Sequence, residues 1–257
     1  MNGIPKNFYY IWVGDREKPA IFYQCYNSWE KNMPDYEIVE INDRKFNIDE
    51  HLKENRFFAE CYKRKLWAYV ADYIRVKYLY EKGGIFLDID MEIVKDFTKI
   101  PELSETEDCD FFASFESNEG IGLGLFGAKT GSEILKKMIE FYEDEVWKTP
   151  FFTLPQIIRY ILKEKMGYDL SGNEVIDRNK GIYILKKEYF YPFLPHEKFE
   201  RNMLTDENYA IHWWNHSWKG LEPFLFLKTK HLRGVRKYIK KTGIYMQMFR
   251  DFIRNKK

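Results

Sequence analysis

The chain has 257 residues, with 41 Lys and Arg against 40 Asp and Glu, and a net charge of +1 gives no global attraction to nucleic acid. Its 45% hydrophobic content is ample for one large core, yet no run approaches the roughly 20 apolar residues that span a bilayer. Cys25, Cys61 and Cys109 are odd in number and widely spaced, without a metal-ligand pattern, which suits a reducing compartment and structural thiols. The opening MNGIPKNFYYIWVG lacks a basic segment leading into a long apolar core, so the expectation is a cytoplasmic protein, soluble or peripheral.

Phe8 to Val13 is a continuous apolar and aromatic run ending at Gly14-Asp15, which predicts a buried parallel strand with a turn at its end. Pro19 to Lys31 predicts a helix with Ile21, Phe22, Cys25, Tyr26 and Trp29 inward, and Glu37 to Ile41 a second strand. Strand, helix, strand at this spacing argues for a parallel α/β unit. The polar segment from Asn42 to His51 gives no clear element.

The most informative stretch runs from Leu66 to Met91. Leu66, Val70, Tyr73, Ile74, Tyr78 and Leu79 mark a helix up to Lys82, stopped by Gly83-Gly84. Ile85 to Leu87 opens a short strand that Asp88-Ile89-Asp90 closes, and side chains two apart on a strand share a face. Both carboxylates then project together at the end where open α/β sheets bind ligands. Asp72 and Arg75, three apart on the preceding helix, are surface neighbours. Two acids beside an acid and a base suit a divalent cation and a hydroxyl-rich ligand.

Phe97 to Glu107 reads as an acidic loop, and Phe111 to Phe115 as a buried strand. The glycines between Gly120 and Gly127 fail the phosphate-loop spacing and read better as a strand with close backbone approach. Ser132 is placed to cap a helix to Glu145 whose inner face is Ile134, Leu135, Met138, Ile139 and Tyr142. A helix around Gln156 to Lys165 and turns near Gly172 and Gly181 precede an aromatic run, Tyr189 to Phe193. Tyr209 to Trp218 then gives a short apolar strand feeding His212, a residue type that is by itself more often structural but, paired with the upstream Asp-x-Asp, reads as a ligand beside carboxylates around Mn²⁺-like ions.

From Lys228 the composition changes. Residues 228–257 hold eleven Lys and Arg and one acid, Asp251, which leaves 30 bases and 39 acids of the 41 and 40 for the body. The tail is therefore +10 and the body −9. Leu232, Val235 and Ile239, then Ile244, Tyr245, Met248, Phe249 and Phe252, predict two amphipathic helices broken near Gly243. A helix docked on the acidic body and a helix touching an anionic membrane both fit this pattern.

The Ala-x-x-x-Asp-x-x-Arg helix, the Gly-Gly turn and the strand ending in Asp-x-Asp, spanning Ala68 to Asp90, resemble the sugar-binding region of glycosyltransferase family 32. The segment Ala210 to Trp218 resembles that family's closing Ala-x-His-x-Trp-x-x-Ser-Trp pattern. Two departures stand out: Ala71 precedes the helix aspartate where the family often has Ser, and Thr149 to Gln156 lacks the glycine of the family's Thr-Gly-Pro segment. The resemblance implies a GT-A type, Rossmann-like single α/β domain over residues 1–227, with a mostly parallel sheet, and a basic helical extension over 228–257. It implies a retaining transfer of a sugar from a nucleotide-sugar donor to a glycan or lipid-linked acceptor, as in capsule, exopolysaccharide or lipopolysaccharide synthesis. The donor would be held by Ile11, Trp12, Asp72, Arg75, Asp88, Ser217 and Trp218, and Mn²⁺ or Mg²⁺ by Asp88, Asp90 and His212. Asn118 matches a strand end that lines the donor site in the family. From spacing alone, Trp12 reads first as a core tryptophan.

No carboxylate stands out as a nucleophile, so no catalytic residue is assigned. One rival reading is a haloacid dehalogenase-like phosphatase, which also uses a strand ending in Asp-x-Asp but expects Thr or Val where Glu92 stands. The other is a non-catalytic sugar-binding homologue.

Overall fold

The computed structural model describes residues 3–13, 17–106, 108–118, 120–171, 174–215 and 221–254, with the side chains of 221–224, 248, 249 and 251–254 excepted. In chain order, β1 (Asn7–Ile11), α1 (Ala20–Asn32) and β2 (Glu37–Ile41) lead into α2 (Ile48–Glu54), α3 (Arg56–Lys63) and α4 (Trp67–Lys82). Next come β3 (Gly84–Leu87), β4 (Met91–Ile93), α5 (Pro101–Ser104), β5 (Phe111–Phe115), β6 (Ile121–Ala128) and α6 (Glu133–Glu143). The remainder is α7 (Leu154–Tyr160), β7 (Val175–Asp177), β8 (Ile182–Leu185), α8 (Lys187–Phe190), β9 (Ala210–His212), α9 (Leu221–Thr229) and α10 (Gly234–Arg254).

Seven strands form one sheet in the order β2-β1-β3-β6-β5-β8-β7. β2, β1, β3, β5 and β8 run one way and β6 and β7 the other, so the sheet is mixed but mostly parallel. Both faces are covered, and alternate side chains on each strand enter different cores. Tyr9, Phe86, Phe111 and Phe126 pack on one face with α3, α4 and α6. Phe8, Tyr10, Ile85, Leu87, Phe112 and Leu125 pack on the other, against Phe22, Cys25 and Trp29 of α1.

The glycines mark the close approaches. Gly83 ends α4 at φ 65°, and a Cβ there would meet Thr130 N at 2.8 Å. On β6, a Cβ at Gly122 would fall 2.4 Å from the Tyr191 ring, so this strand is a bed on which an aromatic lies.

Several local expectations are corrected. Residues 48–63 form two helices, each capped by an asparagine whose side chain accepts a backbone N–H: Asn47 from Glu50 and Asn55 from Phe58. Phe97–Lys99 is a 3₁₀ turn and α5 follows with Pro101 in its first turn, so that segment is not a plain loop. Ser132 occupies the N-cap position of α6, but its hydroxyl donates to Asp110 Oδ2 at 2.7 Å instead of capping. Gly234–Arg254 of the tail is one helix that runs through Gly243. The expected turn at Gly14-Asp15 and the turn at Gly172 lie outside the described residues. Cys25, Cys61 and Cys109 are buried and free. No described helix is long and apolar enough to cross a membrane.

Candidate active site

The site is built where β3 ends. Asp88, Ile89 and Asp90 lie beyond the strand in a turn closed by Met91 N donating to Asp88 O at 2.9 Å. The two carboxylates therefore do not share a face through strand alternation. They are brought together because the turn reverses into β4, which leaves the main sheet. Gly124 O accepts from Asp88 N at 2.7 Å, tying the turn to β6.

β4 explains how His212 arrives from so far along the chain. It pairs antiparallel with β9 in a separate two-stranded sheet, with Met91 opposite His212. α1 holds β4 from the other side, as Trp29 Nε1 donates to Met91 O at 2.6 Å and Asn32 Nδ2 to Ile93 O at 2.7 Å. The chain then turns at Trp214, which has φ 52°, in the left-handed region that bulky residues avoid. That turn brings Asn215 N back to donate to Asp90 Oδ2 at 2.7 Å. His212 Nε2 lies 3.2 Å from Asp90 Oδ1. Ligand atoms of Asp88, Asp90 and His212 all lie within 4.8 Å of one another.

A second cluster adjoins the first. Arg75 reaches from α4 to Asp88 Oδ1 at 3.1 Å and to Asp72 Oδ1 at 3.3 Å, and donates to Leu123 O at 3.0 Å. Its guanidinium also lies over the Phe86 ring, 4.4 Å from the centroid. Arg75 is buried, so the expected solvent-facing pair is instead an inward ion-pair chain, Asp72–Arg75–Asp88.

The electrostatics follow from packing Asp72 and Asp88 around Arg75 and Asp90 against His212. Burial pushes Asp72 up to about 7 against the pull of Arg75, with Asp88 adding to the rise. Burial raises Asp88 as well, although Arg75 opposes it. Burial would raise Asp90 too, but the His212 hydrogen bond and charge, with the Asn215 N–H, hold it below the usual carboxylate range. Burial disfavours an imidazolium at His212, yet Asp90, Asp88 and Glu116 together raise it. Positive charge is thus favoured at this point, and a divalent cation between the three ligands would take the place of that proton. Two carboxylates and an imidazole form a donor set that could hold a divalent cation.

Other residues border the site. Extending the β1–β3 register, in which Phe8 faces Ile85 and Tyr9 faces Phe86, sets Ile11 level with Asp88 at the same sheet edge. Trp12 follows, partly buried against the core on the α1 side, with Lys18 Nζ 5.8 Å from its ring centroid. Asn118 is exposed, while Ser217 and Trp218 lie outside the described residues.

Glu116 and Tyr191 were not singled out from sequence. Glu116 follows β5 at that edge, its carboxyl raised by burial, with His212 opposing and Asp88 adding to the rise. Tyr191 OH accepts from Gly124 N at 3.1 Å, and its ring stands edge-on to His212. The alternating glycines of β6 were the signal for Tyr191, since a ring needs that space. Nothing in the sequence marks Glu116 apart from any other strand-end acid.

Residues 19–107 match the family model described as glycosyltransferase sugar-binding region containing DXD motif, and Asp88-Ile89-Asp90 falls inside that match. Among solved structures the fold is similar to the PaToxG glycosyltransferase, with TM-score 0.50 and 18% identity over 63% of this chain and 70% of that one. A glycosyltransferase involved in glycosylation of the major capsid of PBCV-1 matches with TM-score 0.44 and 16% identity over 83% and 95% of the two chains. No curated protein matches the chain in sequence. The domain match and the GT-A fold support a glycosyltransferase.

Proposed function

We propose that the protein is a metal-dependent, retaining glycosyltransferase of the family 32 type, which moves a hexosyl group from a nucleotide-sugar donor to a glycan or lipid-linked acceptor. The observation that carries this reading is the meeting of Asp88, Asp90 and His212, from segments 122 residues apart, at the sheet edge bearing the matched motif. Asp90 and His212 would be direct ligands of Mn²⁺ or Mg²⁺, and Asp88 would bridge the ion and the donor ribose. When bound, such an ion neutralises the charge that builds on a departing diphosphate.

The chain's own residues do the rest. Trp12 borders the nucleotide base at the edge where β1 ends. Asp72 and Arg75 grip donor-sugar hydroxyls, an acceptor beside a donor, and Arg75 also fixes Asp88 in place. Ser217 and Trp218 hold the diphosphate. Glu116 adds a fourth acid to the cation's surroundings. No residue is assigned as nucleophile; the resemblance implies attack by the acceptor hydroxyl on the face the diphosphate leaves, with the hydroxyl proton passing to the departing phosphate. Capsule, exopolysaccharide or lipopolysaccharide synthesis is the setting that such an acceptor implies.

The test is a screen of nucleotide-sugar donors for hydrolysis with Mn²⁺, Mg²⁺ or EDTA present. Hydrolysis of one donor class, lost in EDTA and in Asp90→Asn, is the expected result. Equal turnover with and without metal contradicts the reading.

A further inference from the structure

Of the large hydrophobic side chains exposed among the described residues, five lie on one helix, α10: Val235, Tyr238, Ile239, Tyr245 and Met246. Each is between 47% and 75% exposed. With Thr242 they recur every three or four residues, so they form one continuous stripe along the helix. The docked side is a different one. Ile244 is buried there, and Lys237 and Lys241 are partly covered. An amphipathic helix normally turns its apolar face to the protein; α10 turns it to the solvent.

The flanks of the stripe are basic. Arg236, Lys240 and Arg250 are exposed along one side, and Lys241 lies along the other. None of them has an ion-pair partner among the described residues. The helix contains a single acid, Asp251. An apolar stripe bordered on both sides by cations is the pattern of a helix lying in the plane of a lipid surface.

Two protein occupants fit less well. Pairing α10 with the α10 of a second copy would set two rows of Lys and Arg side by side. Docking it on the body of a second copy needs a matching apolar patch. The remaining exposed large hydrophobics, Tyr23, Trp67 and Val94, are isolated on separate segments. We propose that α10 is an interfacial anchor that lies on an anionic lipid bilayer, its stripe in the headgroup boundary and its bases on the lipid charges. This goes beyond the glycosyl-transfer reading and does not depend on it.

The experiment is co-sedimentation of the full chain with phosphatidylcholine vesicles, with and without phosphatidylglycerol, across a salt series. The full chain should bind the anionic vesicles, and binding should fall steeply as salt screens the bases. The triple variant Tyr238→Ser, Ile239→Ser, Tyr245→Ser should lose binding by about tenfold or more, because it removes the inserted apolar area. The double variant Arg236→Glu, Lys240→Glu should lose a comparable amount through charge. Unchanged thermal unfolding would show that both variants are folded, as expected for exposed positions. Failure of the full chain to bind anionic vesicles overturns the proposal, as does equal binding to neutral ones. Undiminished binding by the triple variant also overturns it. Self-association without vesicles, removed by the triple variant, would overturn it in favour of a second copy on the stripe.

Discussion

The end of β3 and the helix α10 invert one another. At the first, charged groups are turned inward: Asp72, Arg75 and Asp88 form a chain of ion pairs and Asp90 pairs with His212, at 3.1–3.3 Å. On α10, apolar groups are turned outward and the bases around them have no acid to meet among the described residues. Buried charge is costly unless each group is paired, and exposed apolar stripes are uncommon on a soluble surface. Each region departs from the ordinary rule, and each departure motivates one of the ligands proposed above: a cation at the first, a lipid surface at the second.

The contrast can be broken most severely at Arg75. Arg75→Ala should destabilise the fold by about 3–5 kcal/mol, because Asp72 and Asp88 would remain inside without their counter-charge. Chemical denaturation measures this. If stability changes by less than about 1 kcal/mol, the ion-pair chain is not what holds the site.

A pH series sharpens the same comparison. Asp72 is raised to about 7 from the ordinary carboxylate value of 3.8, so the folded chain binds more protons than the unfolded one between those pH values. Its contribution is therefore largest below the unfolded value and is lost as pH rises through about 7. Asp72→Asn removes that dependence. The stability of the variant relative to the native chain should improve from acid to mildly alkaline pH, by at most roughly 4 kcal/mol. An unchanged difference across that window would show that Asp72 ionises normally.

Gly122→Ala is a smaller perturbation from the other side of the site. The added methyl would overlap the Tyr191 ring, and overpacking of this kind costs about 1–3 kcal/mol. Tyr191 would shift from its hydrogen bond with Gly124 N, and metal affinity should weaken with it. The smallest effect belongs to α10. Tyr238→Ser, at an exposed position, should change stability by less than about 0.5 kcal/mol, and a larger loss would mean that the stripe packs on protein after all.

Legibility in the sequence followed the range of the interactions. β1, α1, β2, α4, β5 and the Gly83-Gly84 stop come from local periodicity and local φ requirements, and the sequence shows both. α2 and α3 carried asparagine caps at Asn47 and Asn55, but a polar surrounding masked them. The pairing of β4 with β9 was not legible, because three-residue strands have no periodicity and their partners are over a hundred residues apart. The motif residues were found by their pattern, whereas the reason first given for their alignment, a shared strand face, was wrong: the turn after Leu87 does that work. Trp214 in the left-handed region and Asn215 as a backbone donor to Asp90 could not be read at all, since neither depends on side-chain identity. Gly243 looked like a break, yet one glycine costs a helix only about 1 kcal/mol and α10 runs through it.

The central claim is that Asp88, Asp90 and His212 form one cation site. Its most direct test is Mn²⁺ titration of the folded chain followed by electron paramagnetic resonance, beside Asp90→Asn and His212→Ala. The account predicts one bound Mn²⁺ per chain, with affinity reduced by about tenfold or more in each variant. Equal Mn²⁺ binding by the native chain and both variants, or none by the native chain with a nucleoside diphosphate present, would contradict it.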